Sequence, residues 1–296
     1  MAKERDMPRS LWKGTLSFGL VTIPVALFSA TENKTPSFNQ LRASDHSRIS
    51  YKRVAKADDE EVTYDDIVKG FEYARDHYVV FSKEELDGLR PASSRSIEIE
   101  QFVPLEQIDP IYFDRTYYLA PEPSGAKAYA LLAGAMTDGR SVAVCRITLR
   151  DKEYLATLRL LPERPWTGVA DGDDGNGSGN GDEPTGPLFV LETMHWPDEI
   201  RAFDLSDVDI DEMPEPRDKE VEMAKQLIAS LTEDFDPTQY RDSYRDKVLE
   251  AVEAKVEGQE VTVTEEAEEA APVVDLMAAL KQSVERAEER RKQEAS

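Results

Sequence analysis

The chain has 296 residues, of which 40% are apolar, enough for one large domain or two modest ones with a real core. No apolar run reaches the roughly 18 residues of a membrane span, the charged start MAKERDMPRS lacks the apolar stretch of a signal peptide, and a single cysteine, Cys145, excludes an intramolecular disulfide and fits a reducing, cytoplasmic compartment. The net charge of -24 opposes phosphate binding, but it is uneven: residues 1–56 hold ten Lys/Arg against four Asp/Glu, residues 57–216 hold 14 against 35, and residues 217–296 hold 12 against 21.

The first element is the stretch LWKGTLSFGLVTIPVALFSA, residues 11–30. Trp12, Leu16, Phe18 and Leu20 are apolar at even positions, then Val21, Ile23, Val25 and Leu27 at odd ones. Each half alternates as a half-buried strand does. The change of phase swaps faces, so something must absorb a one-residue slip, and Gly19 suits a bulge or tight bend there. Pro24 argues for a strand start or an edge. Two short strands bending round one core point to a barrel or a curled sheet.

Residues 31–36 are turn-like. The segment 38–54 concentrates Arg42, Arg48, Lys52 and Arg53, and reads as a strand with one basic face, fit either for phosphate contact or for plain solvation. The acidic run 58–61 reads as a solvated turn with at most weak affinity for a divalent cation. Thr63 is placed to cap a short helix from Tyr64 to about Phe71. Tyr78–Phe81 reads as a strand, and Ser82 with Glu85 forms a capping box for a helix ending near Gly88 or Leu89. Ser96–Val103 and Ile111–Leu119 are strand-like, with a short turn-like helix between Pro104 and Pro110. Residues 125–138 carry apolar side chains at helical spacing. Residues 141–150 and 154–161 form a hairpin that puts Arg146, Arg150 and Arg159 on one side, either a second wall of a basic groove or a surface with scattered arginines. Cys145 falls on its apolar face and reads as core.

Residues 171–186 are rich in Gly, Asp and Asn and read as a flexible insertion. A calcium-loop match fails because Thr185 stands where the twelfth-position Glu is needed. Leu188–His195 resumes as a strand. Two helices follow, over 218–231 and from Asp236-Pro237 to Glu257, in an arm over residues 215–258. Residues 259–271 form an acidic linker. A final amphipathic helix within 272–296 carries the stripe Val273, Leu276, Met277, Leu280 and Val284, as a partner-docking peptide would. No phosphate-binding loop, zincin motif or nucleophile elbow occurs, and the three histidines are scattered. No catalytic set is singled out, so an enzyme is not expected.

The stretch 11–30 also resembles the opening of the prokaryotic Ku family, the DNA-end-binding proteins of non-homologous end joining. Further matches follow in order: residues 49–54 (ISYKRV), 64–70 (YDDIVKG), 109–113 (DPIYF), 117–121 (YYLAP), 127–132 (KAYALL) and 224–228 (AKQLI). The resemblance runs from about Ser10 to Ala287. It implies a mixed β and α fold: a Ku-type β-barrel core with a bridging loop over residues 1–214, then the C-terminal helical arm.

It also implies a homodimeric ring that encircles ends of double-stranded DNA without reading sequence, acts at the nucleoid, and recruits a multidomain ATP-dependent DNA ligase. The DNA contacts expected on this reading are Lys13, Arg42, Arg48, Lys52, Arg53, Arg146, Arg150 and Arg159; the C-terminal stripe would meet the ligase. No cofactor is expected. In many relatives a Cys-x-x-Cys pair thought to bind zinc follows the basic segment; here Ala55 and Asp58 stand in its place, so no zinc is expected. Two other readings stay open: an acidic β-barrel scaffold for protein partners, and a metal-dependent hydrolase built on the acidic clusters. The acidity itself resembles adaptation to high salt.

Overall fold

The computed structural model describes residues 9–89, 95–137, 141–149, 152–161, 186–204, 215–258 and 276–294. The described residues up to 201 form one compact unit and those from 202 a second. All of the insertion 171–186 but Gly186, and the linker 259–271, lie outside the described residues.

Strands β1 (Trp12–Phe18) and β2 (Val21–Ser29) form an antiparallel hairpin. Its turn is Gly19-Leu20, with Gly19 at φ +58°, a conformation that glycine adopts without strain. The turn explains the change of phase. Phe18 pairs with Val21, so every even residue of β1 faces an odd residue of β2: Leu16 opposes Ile23 and Trp12 opposes Leu27. Leu16, Ile23, Val25 and Leu27 are all fully buried. Pro24 lies inside β2, not at an edge, and costs no ladder bond. Its carbonyl accepts from Glu122 N at 2.9 Å, so its nitrogen points the same way, past the last β2–β6 pair of Val25 with Pro121.

The chain then leaves the barrel. Residues 30–68 contain no strand beyond two isolated bridges, Leu41 with Arg48 and Val54 with Glu61. The strand expected over 38–54 is absent: its side chains are exposed nearly throughout, and no buried face selects a register. The helix expected from Tyr64 is only a single turn, Tyr64–Asp66. It is followed by β3 (Lys69–Ala74), paired antiparallel with β4 (His77–Phe81) in a two-stranded sheet of its own. Cross-strand pairs such as Phe71 with Val79 outweigh the local cap signal. Helix α1 (Lys83–Leu89) opens with the expected capping box: Ser82 N donates to Glu85 and Glu85 N to the Ser82 hydroxyl.

Strand β5 (Ser96–Pro104) returns to the barrel, followed by β6 (Phe113–Pro121), helix α2 (Ala126–Thr137), β7 (Ser141–Leu149), β8 (Lys152–Leu160) and β9 (Phe189–Met194). The strands close in the order β1-β2-β6-β9-β8-β7-β5. Every neighbouring pair is antiparallel except β5 with β1, which is parallel and shuts the barrel through Leu16 beside Ile97. Inside sit Leu16, Ile23, Val25, Leu27, Ile97, Leu119, Cys145, Ile147, Leu158, Phe189 and Leu191. Each such side chain contributes about 1.5–3 kcal/mol on burial.

Helix α2 caps one barrel end. Tyr129, Leu132, Ala133 and Met136, on one helical face, are buried in the same core. Tyr129 pins the helix to two strands: its hydroxyl donates to Leu119 O at 2.7 Å and accepts from Phe189 N at 2.8 Å. Its ring meets Phe189 edge-on at 4.9 Å. Gly125 lets the helix approach β2, since a Cβ there would lie 2.7 Å from Pro24 O.

The second unit holds α3 (Asp218–Leu231), α4 (Ser243–Val256) and α5 (Leu276–Glu294). Helix α4 begins at Ser243, capped by Asp242; Asp236-Pro237 opens only an isolated turn, Pro237–Gln239, so Tyr240 is not on the helix. Gly258, at φ +79°, follows its end. Helix α3 packs along α5. Val221, Met223, Ala224 and Leu227 are the half-buried apolar residues of α3, while Ile228 and Leu231 stay exposed.

Two outcomes test the core. Tyr129→Phe strands the buried Phe189 N–H and lowers unfolding stability by about 1–3 kcal/mol in a denaturant titration. Burial, and secondarily Glu100, push the Cys145 thiol up to about 12, so a thiol reagent at pH 8 labels it only after unfolding.

Candidate nucleic-acid interface

The structure places the expected DNA-binding cations at three locations, and most already hold a carboxylate. Lys13 points outward from β1 and pairs with Glu122 at 3.0 Å. Arg146 and Arg159 share the outer face of the β7–β8 hairpin, because Arg146 opposes Leu155 and residues 155 and 159 lie on the same side of β8. Arg146 pairs with Glu100 at 2.7 Å and lies 3.7 Å from Glu153. Arg159 grips Glu192 with two hydrogen bonds, from Nε at 3.0 Å and Nη2 at 2.7 Å. Their side chains are only 26% and 12% exposed, so this is a structural pair. Arg150 lies outside the described residues.

The remaining cations sit on the exposed excursion between β2 and β5. Its first feature is a tight turn. Arg42 N donates to Ser47 O and His46 N to Arg42 O, with His46 at φ +56° and the Leu41–Arg48 bridge closing the base. The second turn has the same pattern. Ala55 N donates to Glu60 O and Asp59 N to Ala55 O, with Asp59 at φ +59° and the Val54–Glu61 bridge below.

An aspartate organises each turn. Asp45 Oδ1 accepts from Ser47 N at 3.1 Å, and Asp58 Oδ1 accepts from Glu60 N at 3.1 Å. Arg42 also embraces Asp45, with Nε 2.9 Å from Oδ1 and Nη2 bonded to Oδ2. The guanidinium, helped by the Ser47 donors, holds the Asp45 carboxyl well below the usual carboxylate range. Lys52 pairs with Glu61 at 2.7 Å, and the Arg53 guanidinium lies 5.4 Å from the centre of the Tyr64 ring. Among the described residues, Arg48 has no carboxylate within ion-pairing distance.

Two features had no clear signal in the sequence. The β3–β4 hairpin leaves Phe71, Tyr73 and Tyr78 more than half exposed, and Phe38 and Tyr51 are exposed on the preceding loop. The barrel end opposite α2 is open: Trp12, Leu27, Tyr117, Leu149, Tyr154 and Met194 line a cavity of about 790 Å3. Lys152, His195 and Glu199 stand at its rim, with Glu199 3.6 Å from Lys152 and 3.7 Å from His195. The Trp196 N–H, above all, holds the Glu199 carboxyl down. Among the described residues, no three His, Cys, Asp or Glu side chains are arranged to hold a metal ion.

In the second unit, Val273 lies outside the described residues and Leu276 opens α5. Met277, Leu280 and Val284 are half-buried. Helix α4 is more open, with Tyr244, Leu249, Val252 and Val256 exposed. No helix among the described residues is long and apolar enough to cross a membrane.

Residues 17–223 match the family model described as the Ku70/Ku80 beta-barrel domain. The "Non-homologous end joining protein Ku" of Frankia casuarinae is 44% identical over 93% of this chain, which covers 63% of that protein. The protein of the same name from Heliobacterium modesticaldum is 41% identical, over 97% of this chain and 95% of the relative. That of Symbiobacterium thermophilum is 42% identical, over 97% of this chain and 65% of the relative. Thus the chain spans less than two thirds of the length of two of these relatives and nearly all of the third. The closed seven-stranded barrel and these matches agree that the chain belongs to the Ku family.

Proposed function

We propose that this chain binds the ends of double-stranded DNA without sequence specificity, as a homodimeric ring, in non-homologous end joining at the nucleoid. Its role is to hold the end and recruit a multidomain ATP-dependent DNA ligase, not to catalyse. The observation that carries this is the family match across the barrel, together with relatives named for end joining at 36–44% identity. A ring needs no base readout: it selects an end because only an end can be threaded, and phosphate contact then suffices. The exposed apolar groups of residues 38–81 and of α4 support a second copy as their cover, since large exposed apolar surfaces mark interfaces.

The charge pattern supports a second reading. Lys13, Arg42, Lys52, Arg146 and Arg159 are already paired with carboxylates, so phosphate must compete for them, and the net charge is -24. That favours an acidic barrel scaffold for protein partners. A gel shift with linear and closed-circular duplex of one sequence, across a salt series, separates the two. Binding to the linear form alone, surviving excess circle, supports the ring. Equal binding means an ordinary basic patch, and no binding at any salt supports the scaffold.

The cations divide into two groups with different expected outcomes. Arg48→Glu weakens binding to duplexes of any sequence and lowers the slope of log K against log salt by about 1 for each phosphate that is no longer neutralised. Lys52→Glu acts in the same direction, with an added loss of its pair with Glu61. Arg159→Ala leaves that slope unchanged and instead lowers unfolding stability by on the order of 2 kcal/mol. It leaves Glu192 poorly solvated, yet the pair is open enough to cost less than a fully buried one. Deleting residues 273–296 spares DNA binding and weakens ligase stimulation; loss of DNA binding would overturn that division.

A further inference from the structure

The two turns at 42–47 and 55–60 have one design. Each has the same pair of backbone hydrogen bonds, a left-handed residue in the fifth position, an aspartate in the fourth that accepts from the backbone, and an antiparallel bridge at the base. Such paired turns suit metal knuckles, which present ligands from the first and fourth positions. The residues standing there are Arg42 and Asp45 in the first turn, Ala55 and Asp58 in the second.

This set does not fit zinc. A guanidinium stays protonated and has no lone pair to give, and an alanine has no donor. Both Asp45 oxygens are taken up by Arg42, with Ser47 sharing Oδ1. Only Asp58 retains a free oxygen among the side-chain bonds described, and one carboxylate falls far short of a four-ligand tetrahedral site.

We propose that the two turns form a metal-free knuckle pair, in which the Arg42–Asp45 ion pair holds the first turn closed and each turn keeps its shape without a bound cation. Arg42 spans the first and fourth positions of its turn, the two positions a metal would tie together. In the second turn Ala55 leaves no such tie, and closure falls to Asp58 on the Glu60 N–H and to Lys52 on Glu61 beside the Val54 bridge. The first turn is therefore held by charge pairing and the second mainly by backbone hydrogen bonds.

The test uses the full chain and reads hydrogen exchange, so its failure is separate from failure of the DNA-binding reading. The protein is purified from zinc-supplemented medium and its metal content measured. Fewer than about one zinc per ten chains is expected. Exchange is then followed by mass spectrometry in peptides covering 41–48 and 54–61, with and without a zinc chelator. The chelator changes neither peptide.

Arg42→Met, which keeps side-chain length, speeds exchange in 41–48 by about tenfold or more and leaves 54–61 within about twofold. Asp45→Asn acts in the same direction. Because the Asp45 carboxyl is depressed, its pairing is complete above the ordinary carboxylate range, persists through that range, and is lost only as pH falls through its lower folded value. The 41–48 peptide therefore keeps its protection at pH 5, where a histidine- or cysteine-ligated zinc site weakens. One zinc per chain, whose removal speeds exchange in both turns, would overturn the proposal. So would an Arg42→Met protein with unchanged exchange in 41–48.

Discussion

The parallel contact between β1 and β5 is the constraint on which the rest depends. Thr15, Leu16 and Ser17 lie beside Ser96, Ile97 and Glu98, and this short ladder shuts a barrel whose other neighbours are all antiparallel. β5 runs antiparallel to β2 and lies on the far side of β1, so the chain must pass from the end of β2 over the start of β1 before β5 can begin at the same end of the barrel. The exposed segments over residues 30–68 and the β3–β4 hairpin make that connection far longer than passing one strand needs. The segment proposed to reach DNA is thus not an appendage at a terminus, but the connection that barrel closure makes obligatory.

The barrel ends differ for a related reason. Helix α2 seals the end at the Gly19 turn, where Gly125 and the doubly bonded Tyr129 bring it against β2, β6 and β9. Burial raises the Tyr129 phenol to about 12, so it stays protonated and keeps donating to Leu119 across the accessible range. The opposite end stays open over Trp12, Leu27 and Tyr117, and the excursion departs from that end, since β2 finishes beside the start of β1. Close packing is concentrated at one pole of the barrel and exposed chain at the other.

The barrel was legible in the sequence where its strands have one wet and one dry face; β9, buried at every position, and residues 142–145 of β7 have two dry ones. Alternation in 12–18 and 21–29 and the glycine at the phase change follow from period-two burial, and Cys145 is in the core on a strand buried on both faces around it. The excursion was misread for the complementary reason. Nothing over 38–81 is fully buried, so no apolar rhythm separates a strand from a loop, and Thr63 before an acidic pair imitates a helix start that pairing of β3 with β4 overrides. The candidate site was read from cations alone, whereas their fates depend on partners remote in sequence. Lys13 finds Glu122, Arg159 finds Glu192, and neither meeting is visible before the strands are in register. The location of Arg146 and Arg159 on a common face was visible, since it needs only the hairpin register.

Setting the exposed segment outside the barrel, between β2 and β5, also separates two kinds of inheritance. A substitution in the barrel is felt by neighbours on several strands at once, because Leu16 or Phe189 packs against a shared core. A substitution at position 42 or 55 is felt only within its own turn, where the bonding partners are residues a few places along the chain. A lineage can exchange the chemistry that holds those turns, one turn at a time, without passing through a form whose barrel fails to close.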